Sequence, residues 1–459
     1  MILLVASGVL AQPDKKKDDK LPANVSYYKD VRPIFQQHCQ GCHQPAMAKG
    51  GYVMTGHADL FKKSDTEAAG IVAGKPEISG VYQQIIPQKG KKPAMPRGKE
   101  PLSQREVTLI KKWIEQGAKD DTPASARLPS VDAEHPPVYK LPPVIDGLAF
   151  NKAGTLLAVT GYHEVLLHKA DGTGLLARLV GMSEMVQSVS FSPDGKWLAV
   201  TGGNPGRFGE VQIWNVEKRK LKLSIPVTFD TIYGASWSHD SKLVAFGCAD
   251  NSLRAIDAQT GSQVLFQGAH GDWVLDTVFS VKGTHLVSVS RDMSMKLTEV
   301  ATARMVDNIT SITPGALKGG LQAVDRHPTR DQLFIGGADG TPKLYQMFRT
   351  KDRKINDDFN RIRTFAPMQG RIFAAKFSPD GSRVVAGSSS DGKGEVRVFE
   401  TDTGKSVSTF KGINGPIYAL AYHPSGSVIA SAGFEGVVHL NDAATGALIR
   451  DFVPVPLKK

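Results

Sequence analysis

The chain has 459 residues, of which 41% are hydrophobic and 22% charged, and its net charge is +11 at pH 7. This length exceeds that of a typical single domain, and the composition excludes a disordered or collagen-like protein. The sequence has no run of 18 apolar residues, which argues against a membrane-spanning helix. The basic residues form no long run, so the sequence predicts no nucleic-acid partner.

The first residues predict export. Residues 1–11 contain a short apolar run that ends in small residues, the pattern of a signal peptide cleaved before Gln12. Residues 12–24 are polar and charged, which predicts a flexible leader. We therefore expect an exported protein located in the periplasm, in the cell envelope or outside the cell.

Residues 25–121 predict a small all-α domain. Asp30 is a candidate cap for a first helix that tolerates Pro33 in its first turn. Ser103 and Glu106 form a capping-box pattern at the start of a second helix. An apolar face follows at helical spacing, so we expect a short helical bundle with a loop-rich middle.

The motif Cys39-x-x-Cys42-His43 predicts one covalently attached haem c. Two thiols at this spacing can form thioethers with the haem vinyl groups, and the adjacent imidazole can bind the iron. A redox-active cysteine pair is typical of a βαβ context, which this region lacks. A zinc site needs two more ligands, and the remaining cysteine, Cys248, lies far along the chain.

The second axial ligand of the iron is predicted to be Met95. This methionine lies in a proline-bounded loop just before the capped helix, where it can fold over the haem. Met47 follows His43 too closely to reach the opposite face of the haem. His57 and Met54 remain as alternatives.

The rest of the chain predicts an all-β propeller with seven blades. Residues 122–143 are rich in proline and predict a linker. From residue 144 to residue 459, short β-rich runs alternate with turns that recur at intervals of 41 to 51 residues. Repeats of this length predict four-stranded blades, and their pattern resembles WD repeats. The seven turns begin at Asn151, Ser192, Ser238, Ser280, His327, Ser378 and His423.

Two further segments of the C-terminal region carry expectations. The fifth repeat contains an insertion, Gln346 to Arg363, which is either a solvated loop or a partner-docking element. Val138 to Leu141 can add an edge strand to the closing blade.

The N-terminal domain resembles the planctomycete-type cytochrome c domain. This resemblance implies that Cys39, Cys42 and His43 hold the haem and that Met95 is the distal ligand. Members of this family often join the domain to other modules, including WD-type propellers. The matching segments are Val31-Arg32-Pro33-Ile34, His38-Cys39-x-x-Cys42-His43, Gly50-Gly51, Ala73-Gly74-Lys75-Pro76-Glu77-x-Ser79, Met95-Pro96, Leu102-Ser103 and Trp113-Ile114-x-x-Gly117-Ala118.

These features predict an exported mono-haem cytochrome that acts in electron transfer, with a propeller that docks partners. The cations Lys89, Lys91, Lys92, Arg97 and Lys99 near Met95 predict an acidic redox partner protein. One alternative is an oxidoreductase whose active site lies in the propeller and uses the haem as its electron outlet. Another is a scaffold or binding protein in which the haem is secondary. The sequence has no recognisable catalytic arrangement, which weighs against an enzyme.

Overall fold

The computed structural model describes residues 21–44, 47–123, 131–311, 313, 318–354 and 357–458. The chain divides into two compact units, Met1–Leu128 and Pro129–Lys459. The predicted signal peptide and most of the leader lie outside the described residues. None of the described helices is both long and apolar enough to cross a membrane.

The N-terminal unit is mainly helical but also contains a short two-stranded sheet, so the predicted all-α class is too simple. Its elements are a π-helical turn (Tyr27–Val31), α1 (Arg32–His38), β1 (His43–Gln44), β2 (Met47–Ala48), α2 (Gly80–Ile85), α3 (Gln104–Glu115) and single 3-10 turns at Lys49–Gly51, Ala58–Phe61 and Pro76–Ile78. One apolar core, which includes Phe35, Leu60, Ile110 and Trp113, joins them.

The helix starts show how local hydrogen bonds set element boundaries. The Ser103 hydroxyl accepts the Glu106 amide proton, and the Glu106 carboxylate accepts the Ser103 amide proton, so the predicted capping box is present. Asp30 is not the first cap. Instead, Ser26 caps the π-helical turn, and Asp30 accepts the Ser26 amide proton at 2.8 Å. The helical segment therefore starts earlier than the sequence predicted, because Ser26 supplies the cap.

The C-terminal unit is built of antiparallel sheets in chain order, the arrangement of a β-propeller. The first sheet has seven strands because the long strand β6 serves two successive repeats. Its strands are β3 (Leu148–Phe150), β4 (Leu156–Thr160), β5 (Tyr162–Lys169), β6 (Leu175–Phe191), β7 (Trp197–Asn204), β8 (Phe208–Asn215) and β9 (Lys220–Thr228).

Five four-stranded sheets follow. The first two comprise β10 (Ile232–Trp237), β11 (Leu243–Cys248), β12 (Leu253–Asp257) and β13 (Gln263–Gln267), then β14 (Val274–Phe279), β15 (His285–Ser290), β16 (Met295–Glu299) and β17 (Arg304–Asn308). The last three comprise β18 (Leu321–Arg326), β19 (Gln332–Gly337), β20 (Lys343–Gln346) and β21 (Arg361–Thr364), then β22 (Arg371–Phe377), β23 (Arg383–Ser390), β24 (Lys393–Glu400) and β25 (Ser406–Thr409), then β26 (Ile417–Tyr422), β27 (Val428–Gly433), β28 (Val438–Asp442) and β29 (Leu448–Phe452).

The first strand of each repeat is the inner strand, and neighbouring inner strands contact one another. β3 also contacts β26 of the last sheet, and the Ile145 amide donates to the Gly433 carbonyl at 3.0 Å. Each inner strand starts opposite the end of the second strand of its repeat, as Val274 does opposite Ser290. The turns before the inner strands and after the second strands therefore share one end of the unit, which we call the entry end.

One buried hydrogen-bond network lies in the fourth repeat. His270 donates or accepts at both ring nitrogens, with Asp292 at 2.9 Å and Ser288 at 2.8 Å. The hydrogen bond from His270 is one of several that hold the pKa of Asp292 well below its usual value despite burial. Because the His270 side chain is only 1% exposed, the network ties a turn to a sheet and offers no surface for chemistry.

The insertion in the fifth repeat is anchored to the preceding sheet. Arg353 pairs with Asp307 of β17 at 2.7 Å, and Arg349 pairs with Asp357 at 3.2 Å. The Phe359 ring also lies beneath Arg349. Arg349 and Arg353 are therefore paired within the chain, and the choice between a solvated loop and a partner-docking element stays a prediction.

The segment before the first repeat packs along the chain terminus. Tyr139 pairs in parallel with Leu457, and its hydroxyl donates to the Glu164 carboxylate at 2.8 Å. The predicted edge strand is therefore a single bridge to the C-terminal tail. Such a bridge covers polar backbone groups next to the first sheet.

Candidate functional site

The predicted haem motif forms a tight turn at the end of α1. The Cys39 amide donates to the Phe35 carbonyl, which continues the helical pattern for one residue. The amides of Cys42 and His43 both donate to the Cys39 carbonyl at 3.1 Å. This turn brings the two cysteines and the histidine together within five residues.

A backbone carbonyl orients the His43 ring. Nδ1 lies 3.2 Å from the Tyr52 carbonyl oxygen and must donate to it, because a carbonyl can only accept. The Tyr52 hydroxyl in turn donates to the Leu60 carbonyl at 2.6 Å. This pattern leaves Nε2 as the nitrogen available to a metal, the arrangement that proteins use to fix a histidine ligand.

Both thiols of the motif are free, and they lie in different environments. Burial and the neighbouring Cys42 thiol raise the pKa of Cys39 to about 12, whereas Cys42 is exposed. The described residues contain no group of three or more histidine, cysteine or acidic side chains that could hold a metal ion. The donor set therefore does not suit zinc, and it suits a haem joined through two thioethers and one imidazole.

Met95 lies half-buried against the same apolar core as Cys39. Its amide donates to the Gln84 carbonyl at 2.9 Å, which holds the loop next to α2. The alternative ligand His57 is engaged elsewhere, since its Nε2 donates to the Ala118 carbonyl at 2.9 Å. Met54 is buried in the core. Met95 thus remains the predicted distal ligand.

A contact joins the haem motif to the start of α3. His38 Nε2 lies 3.1 Å from the Glu106 carboxylate, which also belongs to the capping box. This contact ties the turn of the cysteines to the helix that follows the Met95 loop.

The cations around Met95 form an exposed basic loop, residues 87–99. Lys91 pairs with Gln88 across a turn in which Lys89 and Gly90 both have positive φ. None of the basic side chains of this loop takes part in a described salt bridge. The loop presents positive charge with no acidic residue of its own between 87 and 99.

The C-terminal unit encloses a second candidate site, a cavity of about 640 Å³ lined by the inner strands. Aromatic side chains form parts of its wall. Phe373 and Tyr418 pack edge-to-face with ring centroids 5.1 Å apart, and Tyr233 stacks on Trp273 at 5.8 Å. Charged side chains from three repeats also line the cavity, namely Asp146, Asp276, Arg291, Arg371 and Lys376.

Most of these lining charges have internal partners. The Asp276 carboxylate accepts the amide protons of Thr277 and Val324 at 2.9 and 3.0 Å. Burial alone would lower the pKa of Lys376, but the carboxylates of Asp325 and Asp276 raise it. The Arg291 guanidinium lies 4.6 Å from the Trp273 ring centroid.

The entry end of the C-terminal unit is more apolar than the opposite end. Four of its turns carry large exposed apolar side chains, Phe229, Trp273, Met293 and Phe434, which are 37% to 61% exposed. Among the described residues, the turns at the opposite end carry no large exposed apolar side chain. Of these four side chains, Trp273 also lines the cavity.

The sequence identified the haem motif but missed the cavity. One weak signal of the cavity wall is the β-bulge in the inner strand that contains Tyr418. A β-bulge turns an extra side chain away from the regular alternation. Because the sequence does not reveal the register of each repeat, the Tyr418 side chain could not be assigned to the cavity wall.

Comparisons with known proteins match both units. A family model described as planctomycete cytochrome C matches residues 39–97, and one described as WD domain, G-beta repeat, matches residues 174–207, 359–394 and 404–442. The chain therefore combines a segment similar to a cytochrome family with WD repeats.

Several curated relatives are subunits of a translation initiation factor. Eukaryotic translation initiation factor 3 subunit I of Aspergillus oryzae is 24% identical over 279 residues, which cover 59% of this chain and 70% of the relative. The protein of the same name from Emericella nidulans is 25% identical over 280 residues, with the same coverage. The Coccidioides immitis protein is 25% identical over 307 residues, covering 63% of this chain and 76% of the relative.

These relatives correct two predictions. The prediction of an exported cytochrome that acts in electron transfer is wrong, because the relatives are translation-factor subunits built of WD repeats. The prediction of a periplasmic or extracellular location is wrong for the same reason. The role had been inferred from the haem motif, which specifies how a cofactor is attached and does not specify the role of the chain. The location had been inferred from the apolar run in residues 1–11.

Proposed function

We propose that the chain is a protein-binding scaffold whose C-terminal WD repeats form a closed, seven-bladed propeller. Support for closure comes from the contact of β3 with β26 and from the hydrogen bond between Ile145 and Gly433. Support for protein binding comes from the relatives, which are subunits of a larger factor. A rigid ring of sheets holds its loops in fixed positions, which suits recognition.

One observation carries the proposal, namely the unequal exposure of apolar side chains at the two ends of the propeller. Large apolar groups in contact with water are unfavourable by roughly 25 cal/mol per Å² of exposed area. Four such groups lie in turns at the entry end, and one of them, Trp273, lines the cavity. Patches of this kind mark protein interaction sites, and methionine adapts to varied partner surfaces.

Site-specific photo-crosslinking tests this proposal. A photoreactive amino acid replaces Phe434 at the entry end in the full chain, and in a control it replaces Lys282, which is exposed in a turn at the opposite end. We expect one discrete protein adduct from position 434 and none from position 282. Equal adducts at both positions, or none at either, would contradict the proposal.

We infer in addition that the N-terminal unit carries one covalent haem c, which is secondary to the scaffold role. Cys39 and Cys42 would hold the vinyl carbons, His43 would bind the iron, and Met95 would be the second axial ligand. When bound, haem supplies an iron that binds axial ligands and changes its oxidation state by one electron. The Tyr52 carbonyl orients His43, and the shared core holds Met95 near the motif.

Intact mass measurement of the purified full chain tests the haem. We expect the mass of one haem to survive acidic acetone extraction. Cys39→Ser combined with Cys42→Ser should remove it, whereas Cys248→Ser should keep it, because Cys248 is buried in the other unit. Loss of the added mass in the Cys248 variant alone, or its absence in the natural chain, would refute this inference.

The basic loop gives the N-terminal unit a surface for an acidic protein segment. Its cations are exposed and are free of described salt bridges, in contrast to the paired arginines of the insertion. It contains no aromatic residue on which a nucleic-acid base could stack. Charge of this kind speeds association with an oppositely charged surface.

A further inference from the structure

Every junction between neighbouring repeats except one is held by the chain itself. The outer strand of a repeat continues along the chain into the inner strand of the next, as β13 does into β14 through residues 268–273. The last sheet, β26 to β29, and the first, β3 to β9, lie at opposite ends of the unit's sequence, and among the described residues neither contains a strand from the other end. Their junction, which we call the seam, therefore depends on non-covalent contacts alone.

The turns at the end opposite the entry end contact each other at the seam in the same way as elsewhere. At the seam, His423 Nε2 donates to the Gly154 carbonyl at 3.0 Å. Between the second and third repeats, the Asp194 amide donates to the Ser241 hydroxyl at 3.1 Å. Because such a contact also occurs where the chain connects two repeats, it does not replace the missing connection at the seam.

Two segments cross the seam, residues 137–145 and residues 452–458, and we call them together the clasp. The second segment leaves the last sheet at Phe452, whose ring centroid lies 5.1 Å from that of His168 in the first sheet. His168 Nε2 also donates to the Pro454 carbonyl at 2.9 Å. Because His168 is buried, loss of this hydrogen bond would leave a polar group of the interior without a partner.

The first clasp segment contacts the second segment and then the last sheet. The Lys458 amide donates to the Tyr139 carbonyl at 2.8 Å. Pro142 and Pro143 pack against Gly436, a glycine of positive φ in a turn of the last sheet, where a Cβ would not fit. The first segment therefore contacts the last sheet before the chain enters β3 of the first sheet.

A buried carboxylate fixes the first clasp segment to the first sheet. The side chain of Glu164 in β5 is 0% exposed and pairs with Arg178 of β6 at 2.6 Å. Arg178 also donates to the Pro137 carbonyl at 2.6 Å. The Tyr139 hydroxyl donates to the Glu164 carboxylate at 2.8 Å and accepts the Tyr162 amide proton at 3.1 Å. Burial and the Glu164 charge raise the pKa of Tyr139, so its hydroxyl keeps the proton that it donates.

The next repeat shows what a carboxylate at this position does away from the seam. Glu210 is the third residue of β8, as Glu164 is of β5, and both strands are third in their repeats. Glu210 is also buried, but its carboxylate accepts protons from Ser183 at 2.6 Å and from Gln212 at 2.8 Å. Both partners belong to the same sheet as Glu210. The link from Glu164 to Tyr139 is therefore a feature of the seam.

We propose that the clasp closes the ring at the seam, where no chain connection exists, and that Glu164 is the positioning residue that fixes it to the first sheet. The inference rests on the proposed closed propeller and names what holds it closed. Removing Glu164 would leave Arg178 and the Tyr139 hydroxyl without their buried partner, which releases the first segment. The turn of Gly436 also carries Phe434, so the clasp fixes one of the apolar turns at the entry end.

Hydrogen exchange of the full chain, followed by mass spectrometry, tests the clasp. The amides of residues 145–150 and of β26 report on the seam, and the amides of β14 report on a junction that the chain connects. We expect both seam segments to exchange at least tenfold faster in Glu164→Ala and in a chain that ends at Val453, with β14 unchanged. Tyr139→Phe keeps the ring and removes only the hydroxyl, so it should speed seam exchange severalfold without unfolding the sheets.

Glu210→Ala is the matched control, because it also removes a buried carboxylate from a third strand. It should speed exchange in β8 and leave the seam unchanged. Seam exchange at the natural rate in both Tyr139→Phe and the shortened chain, or an equal rise at the seam in Glu210→Ala, would overturn the proposal.

Crosslinking at position 434 separates this proposal from the scaffold function. A natural chain that gives no adduct, while seam exchange responds as expected, would reject the scaffold and keep the clasp. An adduct from the natural chain with no response at the seam would reject the clasp and keep the scaffold.

Discussion

Asp146 lines the cavity, and among the described residues its carboxylate takes part in no hydrogen bond or salt bridge. This has a consequence for stability that can be measured without any ligand. Asp146 has a pKa of about 6 in the folded chain, against an ordinary value of 3.8. Because the folded value is raised, folding disfavours the charged form. A rise of this size corresponds to an upper bound of about 3 kcal/mol in the free energy of unfolding.

The sign of the effect follows from the protonation states. Above pH 6 the folded chain carries a buried charge, which costs up to about 3 kcal/mol. As the pH falls from about 6 toward 4, the carboxyl group takes up a proton in the folded chain first, and this cost disappears. Asp146→Asn keeps the shape of the side chain and removes the charge. We therefore expect the variant to be more stable than the natural chain at pH 8 and equally stable near pH 4.

Urea unfolding followed by tryptophan fluorescence measures this difference at pH 8, 6 and 4. The control is Asp292→Asn, which should act in the opposite direction. Hydrogen bonds from His270 and Ser294 hold the pKa of Asp292 low despite its burial, so its charge stabilises the fold. If Asp146→Asn is no more stable than the natural chain at pH 8, Asp146 has a partner in solution and the reasoning fails.

Three other predictions concern the N-terminal unit. Met95→Ala should allow the reduced haem to bind carbon monoxide, which is seen as a shift of its absorption band. His57→Ala should not have this effect, because His57 donates a hydrogen bond to a backbone carbonyl. The reverse pattern would show that Met95 is not the ligand. Ser103→Ala should lower the stability of this unit by about 1 kcal/mol in thermal unfolding, since the α3 cap is lost, and an unchanged midpoint would show that the cap contributes nothing. Charge reversal of Lys91 and Lys92 should slow association with an acidic probe peptide several-fold at low salt. Stopped-flow rates that depend neither on salt concentration nor on the charge reversal would show that the basic loop is not a docking surface.

The features that the sequence predicted well depend on short-range interactions. The capping box joins Ser103 to Glu106, three residues away, and the cysteine turn closes within five residues. The repeat turns are equally local, which is why their recurrence indicated the sheets. Even at this range, a competing residue changed the result, because Ser26 occupies the capping position that was predicted for Asp30.

The features that the sequence missed depend on residues far apart in the chain. Asp146 and Tyr418 line the same cavity, and an ion pair joins Arg353 of the insertion to Asp307. Such pairs form only after the sheets have assembled, so the local sequence pattern does not predict them. The functional error had a different origin, since the haem motif describes attachment chemistry and does not specify the role of the chain.

The central claim is that a protein partner binds at the entry end of the propeller. The most direct test is the dissociation constant between the full chain and the partner identified by crosslinking at position 434, measured for the natural chain, Trp273→Ala and Val306→Ala. Val306 is an equally exposed apolar residue on an outer strand, away from the mouth. We predict that Trp273→Ala weakens binding at least tenfold, about 1.4 kcal/mol, while Val306→Ala leaves it unchanged. Equal affinities for all three proteins would contradict the claim.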